Sequence, residues 1–303
     1  MNKPLVSIIM NCHNGQKYLY RSIKSILNQR YSNWELIFWD NCSTDQSKKI
    51  FFKFTDDRLK YFKSNKFKIL YEARNDALKE CKGKYISFLD TDDYWFENKL
   101  YRQVELLEKN EDIGLVYTNY LTVNMNRFFL KKKKINFSLF QSGKITNFLI
   151  KNYFIGLVTI MIRKSLMKGE LEYFDSKYNL LSDFDYILRF SKKFNIDFIR
   201  DVLAVYNQHQ DQLQYKNLPN QAIQFQTWLE NRVIKEKTFS GFENFSTIEK
   251  KIKFLSFLKD IEKKNIFSKA KDLFFYENNL YKVKLFFLIF FPKKIVEKIF
   301  SFN

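Results

Sequence analysis

Up to Asp93 the chain alternates short apolar runs with amphipathic stretches, a pattern that few folds accept. Leu5–Met10 reads as a buried strand, Gln16–Gln29 as a helix with Tyr18, Leu19, Ile23, Ile26 and Leu27 on its apolar side, and Trp34–Trp39 as the next strand. A helix follows with Ser43, Thr44 and Asp45 as cap candidates. Then come a strand at Leu59–Phe62, a helix at Tyr71–Cys81 and a strand at Tyr85–Leu89 that ends on Asp90. Repeated βαβ units of this kind specify an α/β fold, a mainly parallel sheet flanked by helices.

Ligands on such sheets bind beyond the carboxyl ends of the strands. The polar clusters Asn11–Asn14, Asp40–Asp45 and Asp90–Asp93 all follow strand ends, so three loops should converge on one edge. Further along, Asn98–Asn110 and Ser182–Lys193 read as helices, and Ile113–Val123, Val158–Ile162 and Val202–Tyr206 as strands, with Arg127–Ile135 a basic loop carrying Lys131–Lys134. From about Tyr215 long lysine-rich helices are expected, which places a boundary near residue 212 and divides the chain into 1–211 and a helical extension, 212–303.

Composition narrows the classes. With 46% hydrophobic residues, 7 Gly and 3 Pro in 303 residues, the chain is too apolar for disorder and too glycine-poor for a fibre. Three cysteines without a CxxC pair point to a reducing compartment, the cytoplasm. The N-terminus lacks the pattern of a secretory leader, and the longest apolar run, Leu285–Phe291, is far below the ~20 residues that span a bilayer. A net charge of +19 favours an anionic partner, although A/T-biased codons would enrich lysine as well. No nucleic-acid-binding signature accompanies the charge, so nucleic acid is not the expected partner. In 212–303, where the balance is +8, Leu280–Phe302 sets Phe286, Phe287, Phe290 and Phe291 beside Lys282, Lys284, Lys293 and Lys294. That mixture suits a helix in an anionic membrane interface, or one packed on protein.

Asp90-Thr-Asp92-Asp93 is the most informative segment. Three carboxylates within four residues repel one another unless a cation neutralises them, and Mg²⁺ or Mn²⁺ held by one or two carboxylates plus substrate phosphates would do so. Taken alone, the segment could equally be an acidic turn capping the next helix.

The segment belongs to an ordered series: Leu5-Val-Ser-Ile-Ile, Asn11–Asn14, Ser25-Ile-Leu-Asn-Gln, Tyr31-Ser-Asn-Trp-Glu-Leu-Ile, Asp40-Asn-Cys-Ser-Thr-Asp45, Ala73-Arg-Asn and Gly83 to Asp93. This series closely resembles family 2 nucleotide-sugar glycosyltransferases of the GT-A fold, over about residues 4–125 and more weakly to 211. The resemblance implies an inverting transfer of a sugar from a nucleotide diphosphate donor to a hydroxyl of a surface glycan or lipid-linked acceptor. It further implies a metal-dependent enzyme, and the cysteine usage together with the basic C-terminal stretch places it in the cytoplasm, peripheral on the cytoplasmic face of the membrane. Asp40 would accept a hydrogen bond from the base, and Asn11, His13 and Asn14 would cradle base and ribose, with His13 where the family usually has Tyr. Arg74 would face the nucleotide. Asp92 would be the main metal ligand, with Asp90 and Asp93 acting through water or the sugar, and His209 would bind metal or the leaving diphosphate.

Asp183, in Ser182-Asp-Phe-Asp185, matches the family's general base. Asp185 is its neighbour and competitor, and simple N-capping is the bland account of both residues. Two other functions compete. A nucleotidyltransferase should show a Gly-rich, basic loop after the first strand, and here only Gly15 is present. A catalytically inactive, membrane-associated scaffold would not need Asp40, Asp92, Asp93 and Asp183.

Overall fold

A computed structural model describes residues 3–124, 132–134, 140–209, 212 and 218–261. The chain divides into two compact units, Met1–Gln212 and Leu213–Asn303. The first unit is built on a nine-stranded sheet: β1 (Val6–Cys12), β2 (Trp34–Asp40), β3 (Leu59–Lys63), β4 (Tyr85–Phe88), β5 (Tyr94–Trp95), β6 (Ile113–Asn124), β7 (Lys132–Lys134), β8 (Met161–Arg163) and β9 (Asn195–Gln208). The strand order is β3-β2-β1-β4-β8-β6-β9-β5, with β7 paired to β6.

The expected α/β architecture is present, and its parallel part is β3-β2-β1-β4. Beyond β4 the sheet is mixed, because β8 enters antiparallel to both β4 and β6 while β6 and β9 run parallel. The parallel register sets Cys12 beside Asp40 and Ile9 beside Phe88, so the β1, β2 and β4 loops open on one edge.

Helix α1 (Leu19–Leu27) buries Leu19, Ile23 and Ile26, spaced one turn apart, against Ile8, Met10 and Leu36 of the sheet. It starts later than its apolar pattern suggests, because the Gly15 carbonyl accepts the N–H groups of Tyr18 and Leu19 and holds the preceding residues in a turn. Helices α2 (Ser47–Phe51) and α3 (Leu70–Lys79) close the next two crossovers, and α4 (Lys99–Lys109), α5 (Thr146–Lys151) and α6 (Ser182–Lys193) complete the unit. The expected strand at Val158–Ile162 is instead a 3₁₀ turn, Leu157–Thr159, leading into β8, and Lys132–Lys134 of the expected basic loop pair with β6 as β7. In the second unit, α7 (Leu218–Trp228) continues into a π-helical stretch, Leu229–Lys235, and packs with α8 (Ser246–Ile261) around Trp228 and Phe239. No helix among the described residues is long and apolar enough to cross a membrane. The amphipathic segment Leu280–Phe302 lies outside the described residues.

Candidate active site

The β1 and β2 loops are tied to one another before any ligand arrives. Asn41 N–H donates to the Cys12 carbonyl (2.8 Å), Asn14 N–H to Ser43 Oγ (3.0 Å), and Gly15 N–H to Ser47 Oγ (2.9 Å). Asn14, in the left-handed region with φ 56°, accepts Thr44 N–H on its side-chain oxygen. Cys42 has φ 61°, so both loops turn on non-glycine residues whose strain these hydrogen bonds offset. Asp45, the expected cap, accepts both Ser47 N–H and Gln16 N–H. Gly15 allows a further close approach: a Cβ there would lie 3.0 Å from Cys12 Sγ and 3.1 Å from Thr91 Oγ1 of the acidic loop.

Asp40 ends β2 and is buried, one carboxylate oxygen accepting Ser43 N–H (2.8 Å) and the other Tyr61 Oη–H (2.5 Å). His13 is exposed, its ring oriented by contact of Nδ1 with the Asn41 carbonyl (2.9 Å) and set edge-on to Phe67 at 4.8 Å. Asn11, 8% exposed, has no hydrogen-bond partner for either side-chain polar atom. Cys12 and Cys42 are free thiols, and burial pushes the Cys12 thiol up, away from reactivity.

The three acidic residues of the β4 loop take separate partners. Asp90 receives Arg74 Nη2 at 2.6 Å, and the Arg74 side chain is only 2% exposed. Asp92 Oδ2 stands 2.9 Å from His209 Nε2 and 3.3 Å from Gln212 Nε2. Asp93 is buried and accepts Asn207 N–H (2.9 Å), and burial followed by repulsion from Asp92 and Asp90 holds its carboxyl well above the usual range. The Asp90 carboxyl is also raised, by partial desolvation opposed by Arg74, although 42% of its side chain remains exposed. Helix α1 braces the loop, as Ser22 Oγ donates to the Thr91 carbonyl (2.6 Å) and Arg21 to the Asp92 carbonyl (3.3 Å).

Asp183 lies in the first turn of α6 and Asp185 on its buried side. Asp185 is fully buried and ion-paired to Arg189 Nε at 2.7 Å, which commits it to the core. Asp183 is partly exposed, accepts Phe184 N–H (2.8 Å) and is faced by the Tyr71 hydroxyl and by the charge of Arg74. Burial raises its carboxyl above the ordinary range against those three favourable contacts. Neither Ser182 nor Asp183 caps the helix, since Leu181 occupies the N-cap. Tyr71 was missed in the sequence, although it stands one turn before Arg74 on α3 and therefore on the same side. Tyr18, read only as apolar, is the second omission: its ring lies tilted by 33° against His209, with ring centres 5.0 Å apart.

Among the described residues no three His, Cys, Asp or Glu side chains form a ready metal cage. The donors Asp92 and His209 nonetheless fit a hard divalent ion completed by phosphate oxygens. Two ligands of one octahedral ion at ~2.0–2.1 Å stand about 3 Å apart, which matches the Oδ2 to Nε2 separation. His209 is 9% exposed and its Nδ1 lacks a partner.

The family model of glycosyl transferase family 2 matches residues 7–169. WfgD of Escherichia coli, a UDP-Glc:alpha-D-GlcNAc-diphosphoundecaprenol beta-1,3-glucosyltransferase, is 37% identical over 170 residues, covering 55% of this chain. The chain spans 63% of that relative's length, less than two thirds. Two solved structures share the fold. TarS 1–349 of S. aureus, crystallised with UDP, has a TM-score of 0.59 at 16% identity and covers 97% of this chain and 82% of its own. The mannosyltransferase PcManGT of Pyrobaculum calidifontis, in complex with GDP-Man and Mn²⁺, has a TM-score of 0.59 at 14% identity over 100% of this chain and 89% of its own.

Proposed function

The chain belongs to glycosyl transferase family 2, and from that membership we propose that it is an inverting glycosyltransferase moving a sugar from a nucleotide diphosphate donor to a lipid-linked acceptor hydroxyl. One observation carries the reading. The carboxylates at one sheet edge are divided: Asp92 is paired with His209, while Asp183 faces Tyr71 and Arg74. A cation-binding group and a proton-accepting group, separately held, are what displacement of a diphosphate by a hydroxyl requires.

In this reading His13 and Asp40 bind the base, Asn11 and Asn14 shape the floor beneath base and ribose, and Arg74 with Asp90 orients the nucleotide. Asp92 and His209 would hold Mn²⁺ or Mg²⁺, which supplies Lewis-acid stabilisation of charge on the departing diphosphate. Asp93, buried against Asn207, fixes the turn that presents Asp92. Asp183 takes the acceptor proton as the oxygen attacks the anomeric carbon in line, with Tyr71 and Arg74 keeping its carboxylate oriented. The WfgD relative, named for a UDP-glucose donor and a diphosphoundecaprenol acceptor, supports a lipid-linked acceptor here. Residues 1–211 would then perform the chemistry, and 212–303 would be an appended helical region serving the cytoplasmic membrane surface. A panel of UDP- and GDP-sugars, each assayed with Mn²⁺ for hydrolysis and for thermal stabilisation, tests the proposal. Failure of every donor in both assays would return the chain to an inactive scaffold.

A further inference from the structure

The outer face of α1 and α2 is not used by the transfer reading, yet it has a defined composition. Tyr20 and Phe52 are 52% and 57% exposed, and neither ring hangs free: Tyr20 rests on Phe54 at 5.0 Å and Phe52 on Tyr61 at 5.0 Å. Lys24 follows Tyr20 by one turn of α1, and Lys48, Lys49 and Lys53 surround Phe52. All four lysines are exposed, and none has a carboxylate partner among the described residues. Elsewhere in the unit Lys60, Lys68, Lys79, Lys84, Lys109 and Lys193 are each paired to an acid while others such as Lys63, Lys66 and Lys82 are not, among the described residues, so the case for this face rests on its lysines together with its two exposed rings. No acidic residue occurs from Gln46 to Thr55.

We propose that this face docks the catalytic unit on an anionic lipid bilayer, with the Tyr20 and Phe52 rings at headgroup level and the four ammonium groups on lipid phosphates. The proposal rests on the lipid-linked acceptor argued above. Self-association is disfavoured by charge, because a two-fold contact would set like ammonium clusters against each other. Position agrees as well. The same α1 carries Arg21 against the Asp92 carbonyl, and the ring of Tyr18, just before its first residue, lies tilted against His209. Docking along α1 would therefore hold the diphosphate end of the cleft close to the lipid surface.

The test is co-sedimentation of the full chain with phosphatidylcholine vesicles, with and without phosphatidylglycerol, comparing the parent with the triple variant Lys48→Gln, Lys49→Gln, Lys53→Gln and with Phe52→Ser. At about fivefold per lysine near an anionic surface, the triple variant should bind phosphatidylglycerol vesicles about 100-fold more weakly. Phe52→Ser should weaken binding too, while donor hydrolysis in solution stays at the parental rate in both variants. Equal binding of parent and triple variant overturns the proposal, as does equal binding to vesicles lacking phosphatidylglycerol. So does a parent that hydrolyses donor yet sediments with no vesicle, or whose lysine cluster instead governs dimerisation or DNA binding. A parent that binds anionic vesicles through these lysines but hydrolyses no donor defeats the transferase reading and leaves the docking face standing.

Discussion

His209 Nε2 and Asp92 Oδ2 are 2.9 Å apart although 117 residues separate them in the chain. The contact is made by the β4 loop meeting the end of β9, and Asn207 N–H, donating to Asp93, locks the two segments together. An imidazole and a carboxylate at that separation can share one cation.

Asp92→Ala should therefore abolish Mn²⁺-dependent turnover, and His209→Ala should lower both Mn²⁺ affinity and turnover while leaving the urea-unfolding midpoint within experimental scatter. Titration calorimetry with Mn²⁺ in the presence of nucleoside diphosphate measures the affinity directly. Full activity of Asp92→Ala under chelation would remove metal from the mechanism.

Asp183→Asn should cost about 10²–10⁴-fold in kcat, the range for loss of a general base. The pH profile gives a sharper readout. Because burial raises the Asp183 carboxyl, the acidic limb of kcat/KM should lie above the ordinary aspartate range, with activity lost as pH falls through it. Tyr71→Phe removes a hydrogen bond that favours the ionised form and should move this limb to higher pH. A limb that stays fixed in Tyr71→Phe would mean that another group is titrating.

The parallel half of the fold was legible because its strands are continuous apolar runs that end in polar clusters, and Asp40, Asp90 and Asp92 could be placed from that rule alone. What lies beyond β4 was less legible. Whether a short run such as Met161-Ile-Arg163 enters parallel or antiparallel is decided by its pairing partners, and those are distant in sequence. Choosing between Asp183 and Asp185 was likewise beyond periodicity, since both sit in the first turn of α6. What separates the two is Arg189, one turn on, which takes Asp185 into a buried ion pair and leaves Asp183 partly exposed. Tyr18 and Tyr71 escaped because an aromatic residue at helical spacing reads as core whether or not it also touches a polar partner, as Tyr18 does His209 and Tyr71 does Asp183.

Asp90→Ala should destabilise the protein by about 1–3 kcal/mol, the usual cost of stranding a buried donor. The partner left behind, Arg74, has a 2% exposed side chain whose Nε already lacks an acceptor. Nucleotide should offset part of the loss if Arg74 faces it. In differential scanning fluorimetry, UDP would then raise the melting temperature of Asp90→Ala by more than that of the parent. Equal increments would indicate that Arg74 is purely structural.

Lys99 gives a prediction independent of the cleft. It is fully buried between α4 and the sheet, its Nζ 2.7 Å from Gln103 Oε1, 3.3 Å from Ser87 Oγ and 4.0 Å from the centre of the Trp95 ring. No carboxylate accompanies it in these contacts, and burial holds its ammonium pKa well below the ordinary lysine value. The unfolded chain therefore binds a proton that the folded chain releases, and stability must rise with pH from the lowered folded pKa up to the ordinary value near 10.4. The slope from this one group is at most about 1.4 kcal/mol per pH unit. Lys99→Met keeps the volume, removes the titration and should flatten that rise. Urea midpoints of parent and variant at a series of neutral to alkaline pH values measure it. Parallel pH profiles would show that Lys99 stays charged, its ammonium stabilised by the Gln103 amide oxygen and the Trp95 ring.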